Sequence, residues 1–105
     1  MTDARYASMW EFEVSSEADE EFRHQYGIHG AWVRLFRQSP AYIESLLLKD
    51  RHVPGRYLTV DRWSSAAEYE AFRARHAEEY EELDRRCAGL AISEKSLGAY
   101  SEAGL

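Results

Sequence analysis

The alternation of apolar and polar positions begins at Tyr6. From there to Val14, Trp10, Phe12 and Val14 alternate with Glu11 and Glu13, the period of a half-buried strand. Ser15 and Ser16 are candidate helix caps, and the acidic residues Glu17, Asp19, Glu20 and Glu21 suit a helix N-terminus. Ala18, Phe22 and Tyr26 recur every four residues, a helical step. Gly27 and Gly30 interrupt it, Trp32, Leu35 and Phe36 resume it, and Ser39-Pro40 ends it. This predicts a broken helix or two short ones. Tyr42 to Lys49, with Ile43 and three leucines, reads as a second strand. Pro54-Gly55 marks a turn, and Arg56 to Trp63 reads as a third strand. Ser65 and Glu68 have capping-box spacing. Beyond them Tyr69, Phe72, His76, Tyr80, Leu83 and Cys87 form one continuous stripe, predicting a single helix that Gly89 ends. A last strand is expected from about Lys95 to Tyr100.

The order is β-α-β-β-α-β, the split βαβ or ferredoxin-like arrangement. It predicts an α+β domain with a four-stranded antiparallel sheet and both helices on one face. Only one sheet face is then covered. With three tryptophans and eleven other aromatics in so short a chain, the bare face is expected to pair with a second copy in a two-fold homodimer.

At 105 residues the chain is read as one domain, 1–105, with a core of about 6–100. The net charge of −6, with both halves acidic and no basic run, argues against nucleic acid and anionic membranes as partners. Cys87 stands alone, so no internal disulfide forms. The first residues lack the pattern of a signal peptide, and the longest aliphatic run, Leu46-Leu47-Leu48, is far too short to span a bilayer. The expectation is a soluble cytoplasmic protein.

No dinucleotide fingerprint, P-loop or nucleophile elbow is present. His24, His29, His52 and His76 lack the spacing of a helical metal pair, so neither metal nor cofactor is expected. His76 sits in the apolar stripe between Phe72 and Tyr80. It is a core or cavity-wall histidine with one hydrogen bond, a proton-transfer group or, with the helix rotated, an exposed side chain. One face of the third strand carries Tyr57, Thr59, Asp61 and Trp63. Asp61 there is either structural, bonded to Arg62, Arg34 or a helix end, or part of a cavity in which aromatics hold a flat ligand and polar groups orient it. Cys87 reads as an inert small hydrophobe.

Tyr26-Gly27, Gly30-Ala31-Trp32, Leu35-Phe36 and Ser39-Pro40-Ala41-Tyr42 resemble the first half of the antibiotic biosynthesis monooxygenase-like family. The run from Gly55 to Ser65, ending Trp63-Ser64-Ser65, together with Tyr69 and Phe72, resembles its second half. The resemblance implies a dimeric α+β barrel with a cavity between each sheet and its helices. In the family's cofactor-independent oxygenases, which oxidise phenolic or anthrone polyketides with O₂, the pocket uses an Asn on the third strand, the strand-end Trp, a Tyr six residues later and an Arg. Trp63 and Tyr69 match. The Asn position falls on Thr59, and the Arg position falls near Leu83, with Arg75 and Arg85 close in sequence. The haem-degrading branch needs a Trp where this chain has Phe72 and a His near Glu82, so that activity is not expected. The resulting candidates are His76, Asp61 and Tyr69 for catalysis, with Asp61 as orienter of His76. Trp63, Tyr57, Thr59, Phe72 and Trp32 are the candidates for holding a small aromatic substrate. The expected activity is a cofactor-independent monooxygenase. The rival expectations are a non-catalytic binding or structural dimer, or an isomerase or dehydratase using the same cavity.

Overall fold

The computed structural model describes residues 4–104. Its elements run β1 (Tyr6–Glu13), α1 (Asp19–Tyr26), α2 (Ala31–Phe36), β2 (Tyr42–Lys49), β3 (Arg56–Trp63), α3 (Ala66–Arg75), α4 (Ala77–Cys87) and β4 (Ser93–Ser101). The strands form one antiparallel sheet in the order β2-β3-β1-β4. The predicted ferredoxin-like α+β fold is therefore the observed one.

Both expected helices are divided. Between α1 and α2 the break is steric: a Cβ on Gly30 would strike the carbonyl oxygens of His24 and Gln25. Neither Ser15 nor Ser16 caps α1, which starts at Asp19. Ser15 Oγ instead accepts from Ala18 N at 3.2 Å, in the turn before it. The predicted single helix from Ser65 to Cys87 is also corrected. Ser65 does cap α3, accepting from Glu68 N at 3.1 Å, but at His76 the backbone leaves helical values (φ −111°, ψ 30°). The i→i−4 bonds from His76 N to Phe72 O and from Tyr80 N to His76 O persist at 2.9 Å each. Between these two bonds the i→i−4 ladder is interrupted, and the result is a kink that separates α3 from α4. An imidazole buried in an apolar stripe without a partner is costly. At the kink, His76 Nδ1 meets Glu79 Oε1 at 2.8 Å instead.

Pairing register puts Tyr6, Ser8, Trp10 and Phe12 of β1 opposite Trp63, Asp61, Thr59 and Tyr57 of β3. This shared face lies under the helices, and its two ends are packed. At one end Phe12, Val14, Phe22 and Tyr57 cluster; at the other, Trp63 and Phe72 pack with Trp32, Phe36, Leu83 and Cys87. Tyr57 OH donates to Asp19, tying β3 to α1, and burial pushes the phenol up to about 12. The β2–β3 connection turns at Gly55, whose φ of +78° suits glycine and whose missing Cβ leaves room for the Val14 carbonyl. On the opposite sheet face Leu46, Leu48 and Tyr100 are exposed, and Arg62 pairs with Glu44 at 2.6 Å and with Glu102.

Candidate functional site

Between the two packed ends lies a cavity of about 270 Å³. The sheet supplies its floor through Trp10, Phe12, Thr59 and Asp61, with Ser45 beside them from β2. The helices supply its roof through Tyr26, Trp32, Val33, Phe36 and Tyr80. Leu46 of β2 and three exposed charged side chains, Arg73, Asp84 and Glu94, complete the lining. The space exists because the middle of the β3 face carries Thr59 and Asp61, which fill less volume than the tryptophan and tyrosine at its ends. The roof is aromatic through contacts that fix its rings. Trp32 meets Tyr80 edge-on at 5.0 Å between centroids and Phe36 at 5.9 Å. Trp32 Nε1 is buried and has no hydrogen-bond partner among the described residues, so the indole presents ring surface to the cavity and not its N–H.

Two carboxyl groups of the sheet line the cavity: Glu94, exposed on β4 opposite Phe12, and Asp61 in the middle of β3. Ser45 Oγ donates to Asp61 Oδ1 at 2.6 Å, and Tyr42 OH donates to Ser45 Oγ at 2.7 Å. Burial pushes Asp61 up from 3.8 to about 6, and the Ser45 hydrogen bond opposes that rise. It is thus a carboxylate at neutral pH with roughly a hundredfold more proton affinity than an ordinary aspartate. Burial also raises Tyr26 and Tyr80, so both phenols stay protonated. Arg73 is engaged: its guanidinium lies 3.7 Å from the Tyr80 ring centroid, and its Nη1 donates to Tyr69 OH at 3.1 Å.

Of the residues singled out in the sequence, Asp61, Thr59 and Trp32 line this cavity. Trp63, Tyr57 and Phe72 are fully buried in the packed ends and do not. Tyr69 is half-buried between Tyr6 and Trp63, at 5.1 and 5.2 Å between centroids. His76 stacks on Phe72 and pairs with Glu79, outside the lining. Asp61 therefore bonds to Ser45, not to His76, Arg62 or Arg34. Arg62 is on the other sheet face, and Arg34 Nη1 donates to the His29 carbonyl at 2.6 Å. The sequence reading missed Ser45, Trp10, Tyr80 and Arg73 as lining residues. Strand alternation could have found Trp10, but the placing of Ser45 needed the β2–β3 register. Among the described residues, no three His, Cys, Asp or Glu side chains are grouped so as to hold a metal ion, and no helix is long and apolar enough to cross a membrane.

No protein-family model matches the chain, and no curated protein matches it. Solved structures do. SnoaB, a cofactor-independent oxygenase from Streptomyces nogalater, is 13% identical, with a TM-score of 0.70 over 97% of this chain and 96% of that one. A protein from Deinococcus radiodurans, provisionally described as an antibiotic biosynthesis monooxygenase, is 21% identical, with a TM-score of 0.74 over 95% of this chain and 93% of that one. A similarly described protein from Nitrosomonas europaea is 13% identical, with a TM-score of 0.71 over 97% and 93%. What these likenesses establish is the fold: this chain has the ferredoxin-like α+β fold of structures described as antibiotic biosynthesis monooxygenases.

Proposed function

We propose that the chain is a cofactor-independent monooxygenase that oxidises an electron-rich aromatic small molecule with O₂. The observation that carries this reading is a carboxylate of raised proton affinity on the floor of an aromatic cavity. The fold shared with SnoaB supports it. An apolar cavity of about 150 Å³ holds benzene, so about 270 Å³ suits a ligand of roughly two rings.

In this reading Asp61 takes a proton from the substrate's acidic hydroxyl or ring CH₂. The resulting anion passes one electron to O₂, and the radical pair joins to form a C–O bond. The peroxide recovers the proton from Asp61. The O–O bond then breaks as the second C–H proton leaves, giving a carbonyl and water. Overall, a CH₂ group and O₂ become C=O and H₂O, with the substrate as sole reductant. Trp32, Trp10 and Tyr80 sandwich the ring, and Thr59 lines the floor. Trp63, Phe72, Tyr57 and Tyr69 act through packing, and His76 takes no part in proton transfer.

The test is oxygen uptake with a panel of one- to three-ring hydroxyarenes and anthrones, with no cofactor added. Uptake, with one atom of labelled O₂ in the product and its loss in Asp61→Asn, is the expected result. Turnover that continues unchanged under nitrogen would replace this reading with proton-transfer isomerisation. That second reading is favoured by the same pairing of a carboxylate base with the protonated Tyr80 phenol.

The exposed Leu46, Leu48 and Tyr100 on the bare sheet face support a homodimer paired through that face. Sedimentation equilibrium at micromolar concentration is expected to give twice the 12.2 kDa chain mass; a monomer at all concentrations removes the dimer.

A further inference from the structure

Asp61 has one oxygen committed and one free. Oδ1 accepts from Ser45, whose own oxygen accepts from Tyr42. Each hydroxyl has a single proton, so the chain of bonds runs in one direction, Tyr42 to Ser45 to Asp61. A proton on Oδ1 would meet the Ser45 O–H head-on unless both hydroxyls turned round. Oδ2 accepts no hydrogen bond from the described residues, and it is not sealed off from the cavity that Asp61 lines.

Backbone irregularity is what assembles this chain. Tyr42 and Ser45 are three residues apart, and in a regular strand they would point to opposite faces. The β2–β3 register shifts between Tyr42 and Glu44, which brings both hydroxyls to the helix side. Ser45 is then directly opposite Asp61. The Tyr42 ring is anchored against Phe36 at 5.6 Å and Trp63 at 5.3 Å, so the outer end of the chain is fixed in the packed core.

We propose that Ser45 and Tyr42 are positioning residues that tie Asp61 Oδ1 to the edge strand and leave Oδ2 as the atom that takes and returns the substrate's proton. The proposal rests on the reading of Asp61 as the base. The groups facing Asp61 are Ser45 and Tyr42 from β2, Ser8 from β1, Thr59 on β3 itself and Tyr80 from α4. Arg73, Asp84 and Glu94 are the charged groups of the same cavity. Ser45 is the group in direct contact that favours the ionised form.

The test compares Ser45→Thr with Ser45→Val, two side chains of one shape that differ by a hydroxyl. Two quantities are read: the Asp61 carboxyl titration by ¹³C NMR, and the acid limb of kcat/KM. The Thr variant should match the unaltered protein in both. The Val variant should move both upward by about one pH unit, costing roughly tenfold in kcat/KM below the limb. Tyr42→Phe should move both the same way by less, and it serves if the Val variant does not fold. Identical Asp61 titrations in the Thr and Val variants would overturn the proposal, as would a titration that moves while the acid limb stays. The NMR arm needs no turnover. Shifted titrations with no oxygen uptake on any substrate would therefore remove the oxygenase reading and leave the positioning of Asp61 intact.

Discussion

Trp63 and Asp61 are two residues apart on the same face of the same strand, and their surroundings are opposite. Trp63 is completely buried, with Phe36, Tyr42, Tyr69 and Phe72 all within 5.3 Å between ring centroids. Asp61 looks into open space and holds one hydrogen bond. One end of β3 is spent on cohesion, and the middle is left unfilled. An ionised carboxyl group there weakens the fold while raising its own basicity. Stability and chemistry are thereby separated along a single strand.

The largest effect expected from this contrast is at Asp61. Asp61→Asn keeps the shape and an acceptor for Ser45 but removes the base, so turnover should fall ~10²-fold or more. The same variant should be more stable at pH 7. The folded-state value of about 6 lies above the ordinary 3.8, so the folded chain binds more protons between the two. Stability is therefore lost as pH rises from 3.8 through 6, by up to ~3 kcal/mol at neutral pH. Thermal melting at pH 7 and pH 4 checks the sign: the Asn variant should melt higher at pH 7, with the gap closing at pH 4.

Trp63→Ala should do the reverse, costing ~3–5 kcal/mol in urea denaturation while moving the Asp61 midpoint by less than Ser45→Val does, since it only loosens one of the two rings that anchor Tyr42. A large shift of that midpoint would show that the two regions are coupled.

Thr59→Leu sharpens the contrast by filling the open middle. Ligand affinity should drop at least ~10-fold, with stability changed by less than ~1 kcal/mol, measured by calorimetric titration and melting. A loss of stability like that of Trp63→Ala would mean that the cavity is already packed.

The smallest effect is expected at His76. Its side chain is 14% exposed and pairs with an exposed Glu79, so His76→Gln should move the melting temperature by only about a degree or two. Turnover and its acid limb should not change. A collapse of turnover in this variant would put proton transfer at the helix kink and not on β3.

Local pattern was enough for the architecture. The apolar run of β2 and the alternation of β3 placed both strands at their observed bounds, and the spacing of Ser65 and Glu68 marked the start of α3. These features depend on residues near one another in the chain. The split βαβ order then leaves few ways to lay four strands in a sheet. Thr59 and Asp61 stood out because polar groups on a covered strand face are exceptional, and that too is a local signal.

The partners of those groups were not legible. Helical periodicity carried His76 along the apolar stripe towards the sheet, but the kink at that residue lets its ring pair with Glu79. Tyr57, Trp63 and Phe72 had the composition of a ligand cavity, yet whether an aromatic ring lines a space or fills it depends on what the facing helices bring. Ser45 reached Asp61 only through the register of two strands, and Tyr42 joined it only because a bulge reversed the alternation of β2. The sequence by itself determined the elements, their order and the unusual carboxyl group on β3, since each follows from local preference and period. The tertiary structure alone decided what that carboxyl group touches, how far its proton affinity rises and where the cavity opens. Those properties depend on burial and on contacts between residues far apart in the chain.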